Sequence, residues 1–202
     1  MTIVLASSNK GKIKELKNLL PLYDIKTYKE LVGDIKIIED KDSFKGNAIK
    51  KAQTIYDNLK SKYPNNIEEF LIIADDSGIS VEALDFKPNI YSARYAGEDA
   101  TDKQNNQKLI QNLKKLNITT SNAYYTACIA IIYKEDIYTT HGWMYGKVIT
   151  EEKGDGGFGY DPLFIPTGYD KTLGELEDTI KKDLSHRTKA INLALKILKV
   201  II

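Results

Sequence analysis

Cysteine is almost missing from this 202-residue chain, where Cys128 stands alone. An internal disulfide is therefore excluded, and no cysteine spacing describes a zinc site. Cys128 lies in an apolar run, Cys128-Ile129-Ala130-Ile131-Ile132, which predicts a buried, inert thiol. Long apolar runs are missing too. None approaches the ~20 residues of a membrane span, and Ile3 to Ala6 is too short for the core of a signal peptide. An excess of charge of either sign is also missing, since 29 basic residues face 28 acidic ones. With balanced charge and no basic stripe, neither nucleic acid nor an anionic membrane is an expected partner. The remaining 42% hydrophobic and 28% charged composition is that of an ordinary cytoplasmic globular protein. Its length suits one domain, with or without two lobes, around a substantial core.

The chain is organised around Phe70-Leu71-Ile72-Ile73-Ala74-Asp75-Asp76-Ser77-Gly78. Its apolar half predicts a buried strand that stops at the two aspartates. Strand side chains alternate faces, so adjacent carboxylates are not expected to continue together into a dry core. The carboxyl end of a strand, where ligands of α/β sheets bind, is the expected place for them. Two such carboxylates repel unless a cation or a shared proton relieves them, and an all-oxygen set suits Mg²⁺. The alternative is a turn in which Asp75 and Asp76 cap a following helix.

Elsewhere, Thr2 to Ala6 predicts a strand and Lys12 to Leu20 a helix. The turn between them, Ser7-Ser8-Asn9-Lys10-Gly11-Lys12, presents backbone N–H groups and lysines in the manner of an anion site, without the spacing of a P-loop. Ile25 to Glu30 and Ile35 to Ile38 predict two strands, the second ending at Glu39-Asp40. Asp42 or Ser43 caps a helix reaching about Lys62, which carries Lys50 and Lys51. Thr101-Asp102-Lys103-Gln104 is a capping box. Ala123 to Tyr133 and Asp136 to His141 form a strand pair across Lys134-Glu135, and Trp143 to Ile149 continues it. The glycine-rich stretch Gly154 to Pro162 excludes regular structure, and one of its aromatics is placed to stack on a flat ring. Short helical pieces follow at Lys171 to Leu176 and Ile180 to Leu184. A final helix starts near Asp183, with Ser185-His186-Arg187 at its positive end.

Singly these signals are modest. Together they describe a nucleoside triphosphate held by a divalent cation, with its base in a separate pocket. The motifs S-S-N-K-G-K (7–12), A-D-D-S-G (74–78), Y-S-A-R-Y (91–95), G-G-F-G-Y-D-P (156–162) and S-H-R (185–187) occur in an order that resembles the Ham1/RdgB (inosine triphosphate pyrophosphatase) family over essentially the whole chain.

The resemblance implies an α/β fold, a mixed elongated sheet flanked by helices, in one two-lobed domain (1–202) with a central cleft. It also implies Mg²⁺-dependent conversion of ITP, dITP or XTP to the monophosphate and pyrophosphate by a homodimer. Matched position by position, Ser7, Ser8, Asn9, Lys10, Gly11, Lys12 and Lys51 would hold phosphates. Asp76 would be metal ligand and general base, with Asp75 beside it and Ser77 on the substrate. Phe158, Gly159, Tyr160 and Asp161 would line the base pocket, with Phe158 stacking on the purine. Lys181, His186 and Arg187 would read base or phosphates, with Arg94 nearby. Glu39, twelve residues before Lys51, matches a further metal-binding glutamate, with Asp40 as the alternative. Here Phe44-Lys45-Gly46-Asn47-Ala48 departs from the family's F-x-E-N-A by lacking the glutamate.

Overall fold

The computed structural model describes residues 1–202, apart from the side chains of Lys10 and Glu15. The elements, in order, are β1 (Thr2–Leu5), α1 (Lys10–Leu19), β2 (Ile25–Thr27), α2 (Tyr28–Val32), α3 (Phe44–Lys62), β3 (Phe70–Val81), α4 (Asp102–Lys115), β4 (Thr120–Tyr133), β5 (Asp136–Ile149), β6 (Phe164–Pro166), α5 (Asp178–Leu184) and α6 (His186–Ile201). The six strands form one sheet in the order β2-β1-β3-β4-β5-β6. It is mixed: β1 runs parallel to β2 and β3, whereas β5 and β6 are antiparallel. With its flanking helices this is the expected α/β class.

The chain divides into two compact units. The first comprises Met1–Asp76, Ala127–His141 and Ala190–Ile202. Its core joins Ile3 and Leu5 of β1, Leu16 of α1, Leu71 and Ile73 of β3, and Ile191 and Leu198 of α6. Two-residue spacing on the strands and seven-residue spacing on α6 put these side chains on common faces. Each buried Leu or Ile contributes about 1.5–3 kcal/mol. The second unit comprises Ser77–Thr126 and Gly142–Lys189, with a core built on Ile79, Val81, Leu109, Leu113, Val148 and Phe164.

Cys128 is fully buried, and that burial pushes its thiol up to about 12, as expected of an inert cysteine. Among the described residues no helix is long and apolar enough to cross a membrane. Ser43 caps α3, and Thr101 with Gln104 forms the capping box of α4, both as expected. The β4–β5 turn places Lys134 and Glu135 at positive φ, the conformation a two-residue hairpin needs.

Four expectations fail. β3 does not stop at Asp75; it runs on through both aspartates to Val81. That also excludes the reading in which they cap a helix. The expected strand Ile25 to Glu30 breaks after Thr27, because the side chain of Glu30 accepts from the Thr27 N–H at 2.7 Å and opens α2 instead. Residues 35–38 form no strand, so Glu39 and Asp40 sit in a loop. Residues 171–176 are turns, closed by Glu175 accepting from Thr172, and not the short helix expected.

Candidate functional site

In the first unit, β1 and β3 are parallel with Leu5 opposite Ile73, so the loop leaving β1 and the aspartates of β3 lie at the same end. Asn9 caps α1, its side chain accepting from the Lys12 N–H at 3.0 Å. This sets Lys12 in the first turn, where its ammonium meets Asp75 Oδ2 at 2.6 Å. Ser7 Oγ accepts from the Asn9 N–H at 3.3 Å, which shapes the loop. The side chain of Lys10, expected here too, lies outside the described residues.

Two turns into α3, Lys51 donates to Asp76 Oδ1 and to Glu39 Oε1, each at 3.0 Å. Its neighbour Lys50 pairs with Asp40 at 2.5 Å, more exposed. Glu39, not Asp40, is thus the loop carboxylate that shares a lysine with Asp76. Asn47, fully buried, accepts from the Lys41 N–H at 2.9 Å and so holds that loop on α3. Gly46 explains the departure from F-x-E-N-A: a Cβ there would lie 2.8 Å from Lys41 Cβ. Only glycine leaves Lys41 its place. Asn47 was not expected as a site residue, because its bond runs from the first turn of α3 back six positions to a loop that no periodicity marks.

Asp75 and Asp76 are 1% and 5% exposed, against the expectation that neighbouring aspartates cannot both enter a dry interior. Strand alternation resolves this. Each carboxylate meets its own ammonium, Asp75 from α1 and Asp76 from α3. Burial raises the Asp76 carboxyl above its usual range, even though Lys51 and Lys12 pull it down. For Lys51, burial pulls the ammonium down, but Asp76, Glu39 and Asp75 outweigh it and hold the pKa above the ordinary lysine value.

These groups also fit a divalent cation. Among the described residues no three His, Cys, Asp or Glu side chains form a ready cage, since ammonium groups separate the carboxylates. The donor set is nevertheless all oxygen, as Mg²⁺ prefers. Asp76 Oδ2 is buried and has no hydrogen-bond partner, an arrangement that a ligand oxygen or cation would satisfy.

The second unit gathers the other expected residues. Arg187, 2% exposed at the start of α6, donates to Ser77 Oγ at 2.9 Å, and its guanidinium lies 5.9 Å from the Phe158 ring centroid. The His186 ring stacks on Tyr125 at 4.8 Å with planes 13° apart. Tyr125 lies on β4, and its contact with His186 bridges sixty-one positions of chain, beyond any local signal. In the glycine loop, Asp161 Oδ2 accepts from the Phe158 N–H at 3.1 Å. Tyr160 is buried, and its hydroxyl donates to the Ser92 carbonyl at 2.8 Å. Lys181 pairs with Asp178 at 2.8 Å, and Arg94 with Glu98 at 3.9 Å. Neither pair involves another expected site residue.

Gly157 carries this loop at φ +85°, and a Cβ there would sit 2.0 Å from Asp161 Oδ2. Gly157→Ala is therefore expected to lose about 1–2 kcal/mol from backbone strain alone. It would also push Asp161 off the Phe158 amide. Thermal unfolding should read the first effect, and faster hydrogen exchange at the Phe158 amide the second. Unchanged values for both would remove the loop's rigidity from the account.

The chain is similar to known proteins over nearly its whole length. The sequence pattern of the Ham1 family matches residues 3–197. A dITP/XTP pyrophosphatase of Aliarcobacter butzleri is 59% identical over 202 residues, all of both chains. One from Sulfurimonas denitrificans is 53% identical, covering 98% of this chain and 99% of its own. The solved structure of the Staphylococcus aureus Ham1 protein superposes with a TM-score of 0.85 at 34% identity, covering 100% of each chain. A match over nearly every residue, in sequence and in fold alike, establishes that this chain belongs to the Ham1 family.

Proposed function

We propose that the protein hydrolyses noncanonical purine nucleoside triphosphates (ITP, dITP and XTP) to the monophosphate and pyrophosphate, clearing them from the nucleotide pool. Full-length relatives named dITP/XTP pyrophosphatase support this. Within the chain, the reading is carried by the cluster in which Asp75, Asp76 and Glu39 meet Lys12 and Lys51. Water adds to the α-phosphorus, the bond to the bridging α–β oxygen breaks, and pyrophosphate leaves. Asp76 is the base: its Oδ2 is buried without a partner, and burial strengthens it as a proton acceptor. Asp76, Glu39 and Asp75 would hold Mg²⁺, which would supply positive charge to neutralise phosphate oxygens and polarise phosphorus. Lys12, Lys51 and the loop of Ser7, Ser8, Asn9, Lys10 and Gly11 bind phosphates and stabilise charge developing on the leaving group.

Phe158 stacks on the purine, and Gly159, Tyr160 and Asp161 complete its pocket. Ser77, Arg94, Lys181, His186 and Arg187 contact base or phosphates. Donors such as Arg187 suit the oxygen at the purine six-position. An amino group there presents donors to donors and leaves buried groups unpaired, a mismatch that discriminates strongly. The two units act as one catalytic domain, in the cytoplasm. The working assembly is a homodimer; exposed Trp143 and Tyr145 on β5 support it as residue types enriched at interfaces. Sedimentation at twice the 22.8 kDa chain mass tests that assembly.

A phosphorus NMR time course with Mg²⁺ and ITP, XTP, GTP and ATP tests the reaction. Pyrophosphate plus monophosphate from ITP and XTP, with GTP and ATP nearly untouched, is the expected result. Orthophosphate release, or equal turnover of ATP, would overturn it. Binding without turnover would make the protein a nucleotide sensor.

A further inference from the structure

Helix α4 holds two segments that carry site residues, and holds them from successive turns. In its first turn, Asp102 Oδ2 accepts from the Gly159 amide at 2.7 Å. One turn on, buried Asn105 accepts from the Ala96 N–H at 2.8 Å and donates to the Ala93 carbonyl at 3.1 Å. Those two bonds bracket Arg94. The held segments are also tied to each other, by the Tyr160 hydroxyl on the Ser92 carbonyl. The bonds close a ring, from Asp102 to Gly159, across Tyr160 to Ser92, and from Ala93 through Asn105 back to the helix. Removing any member leaves the others to hold the loop from one side only.

Asp102 is the member with the least other work. It is exposed, it follows the Thr101 cap, and the capping box is complete without its side chain. Its bond to Gly159 is charge-assisted and short, the stronger kind of backbone hydrogen bond. Gly159 adjoins Phe158, whose own amide is held by Asp161. The amides on both sides of the Phe158 Cα are therefore each held by a carboxylate.

We propose that Asp102 is a positioning residue for purine recognition, holding Phe158 in its stacking position through the Gly159 amide and locking that loop to the Arg94 segment through α4. The proposal rests on the reading of residues 158–161 as the base pocket. Asp102 does not touch the nucleotide; it fixes the ring that does. Its loss weakens binding of the base and leaves binding of the phosphates alone.

Steady-state kinetics on ITP, with inorganic tripolyphosphate as a competitive inhibitor that lacks a base, separates the two. Asp102→Ala is expected to raise KM for ITP about tenfold, the scale of partly lost base–aromatic stacking. In that variant kcat should stay within about twofold and the tripolyphosphate Ki unchanged. Asp102→Asn keeps a carbonyl oxygen for the Gly159 amide and should restore most of the KM. A lowered melting temperature with unchanged KM would overturn the proposal, leaving Asp102 as a helix-end acid only. Parallel rises in KM and Ki would overturn it as well. Both outcomes presuppose an active wild type; a wild type inert towards ITP would instead remove the functional reading, and this proposal with it.

Discussion

Asp76→Asn abolishes turnover and leaves the fold standing: this is the expected result of replacing the buried carboxylate of β3. Asparagine has nearly the same shape, and its carbonyl oxygen still accepts from Lys51, which sits 3.0 Å from Asp76 Oδ1. Lys51 also keeps Glu39 at 3.0 Å. What disappears is the proposed proton acceptor and one anionic oxygen proposed to hold Mg²⁺. A positioned base is worth about 10²–10⁴ in rate. Losing the metal ligand as well puts the fall in kcat/KM at roughly 10³ or more. Stability follows a different sign. The folded-state pKa of Asp76 is raised by burial, so its contribution to stability is full below the ordinary value of ~3.9 and is lost as pH rises through the raised value. At neutral pH the amide removes the desolvation of a buried carboxylate but also the charge that holds Lys51, and the two effects oppose each other. The melting temperature should therefore change little at pH 7 while activity vanishes. The same shift gives wild-type activity an acid limb, falling as pH drops through the raised pKa. A variant with a near wild-type rate would take Asp76 out of the mechanism.

How far the sequence discloses this site depends on how local each interaction is. Caps and turns are short-range, and Ser43, Thr101 with Gln104, and the Lys134-Glu135 turn could all be read directly. The cluster of site motifs was legible because its residue types are chemically unusual: adjacent carboxylates after an apolar run, and glycines around aromatics. The continuation of β3 was not. Alternation alone argues against two aspartates in a buried strand, and only the lysines of α1 and α3, distant in sequence, reverse that argument. Residues 35–38 misled in the opposite direction, since alternating apolar residues imitate a strand wherever no partner strand is available. Glu39 reaches Lys51 beside Asp76 although its strand did not form, because the Asn47 side chain accepts from the Lys41 N–H and glycine at 46 leaves Lys41 its place. Asp102 was visible only as a helix-start residue. Its bond to Gly159 crosses fifty-seven positions, and nothing in the spacing of either announces the other.

Lys51→Met is expected to produce a protein whose stability depends on the divalent cation proposed for catalysis. Methionine matches the buried stem of the lysine but not its charge, so Asp76 and Glu39 lose the ammonium that lies 3.0 Å from each. Removing one partner of a buried ion pair costs about 3–5 kcal/mol. In a chain of this size that corresponds to a melting temperature lower by roughly 10 °C or more in metal-free buffer. Asp76, its carboxyl already raised by burial, then has its folded-state pKa raised further. Its contribution is present at low pH and lost as pH rises, so the gap to wild type should narrow as pH falls towards 4 and widen towards 8. Millimolar Mg²⁺ should narrow it too, because a cation that binds the folded carboxylates and not the unfolded chain stabilises by mass action. In wild type the ammonium competes for the same oxygens, so its shift with Mg²⁺ should be the smaller of the two. Turnover would remain low even when Mg²⁺ restores the fold, since a phosphate-binding charge is gone. Differential scanning fluorimetry across pH and Mg²⁺ concentration reads all of this in one plate. Equal Mg²⁺ shifts in both proteins would show that the cation does not share the oxygens that Lys51 holds, and would move the metal away from Glu39 and Asp76.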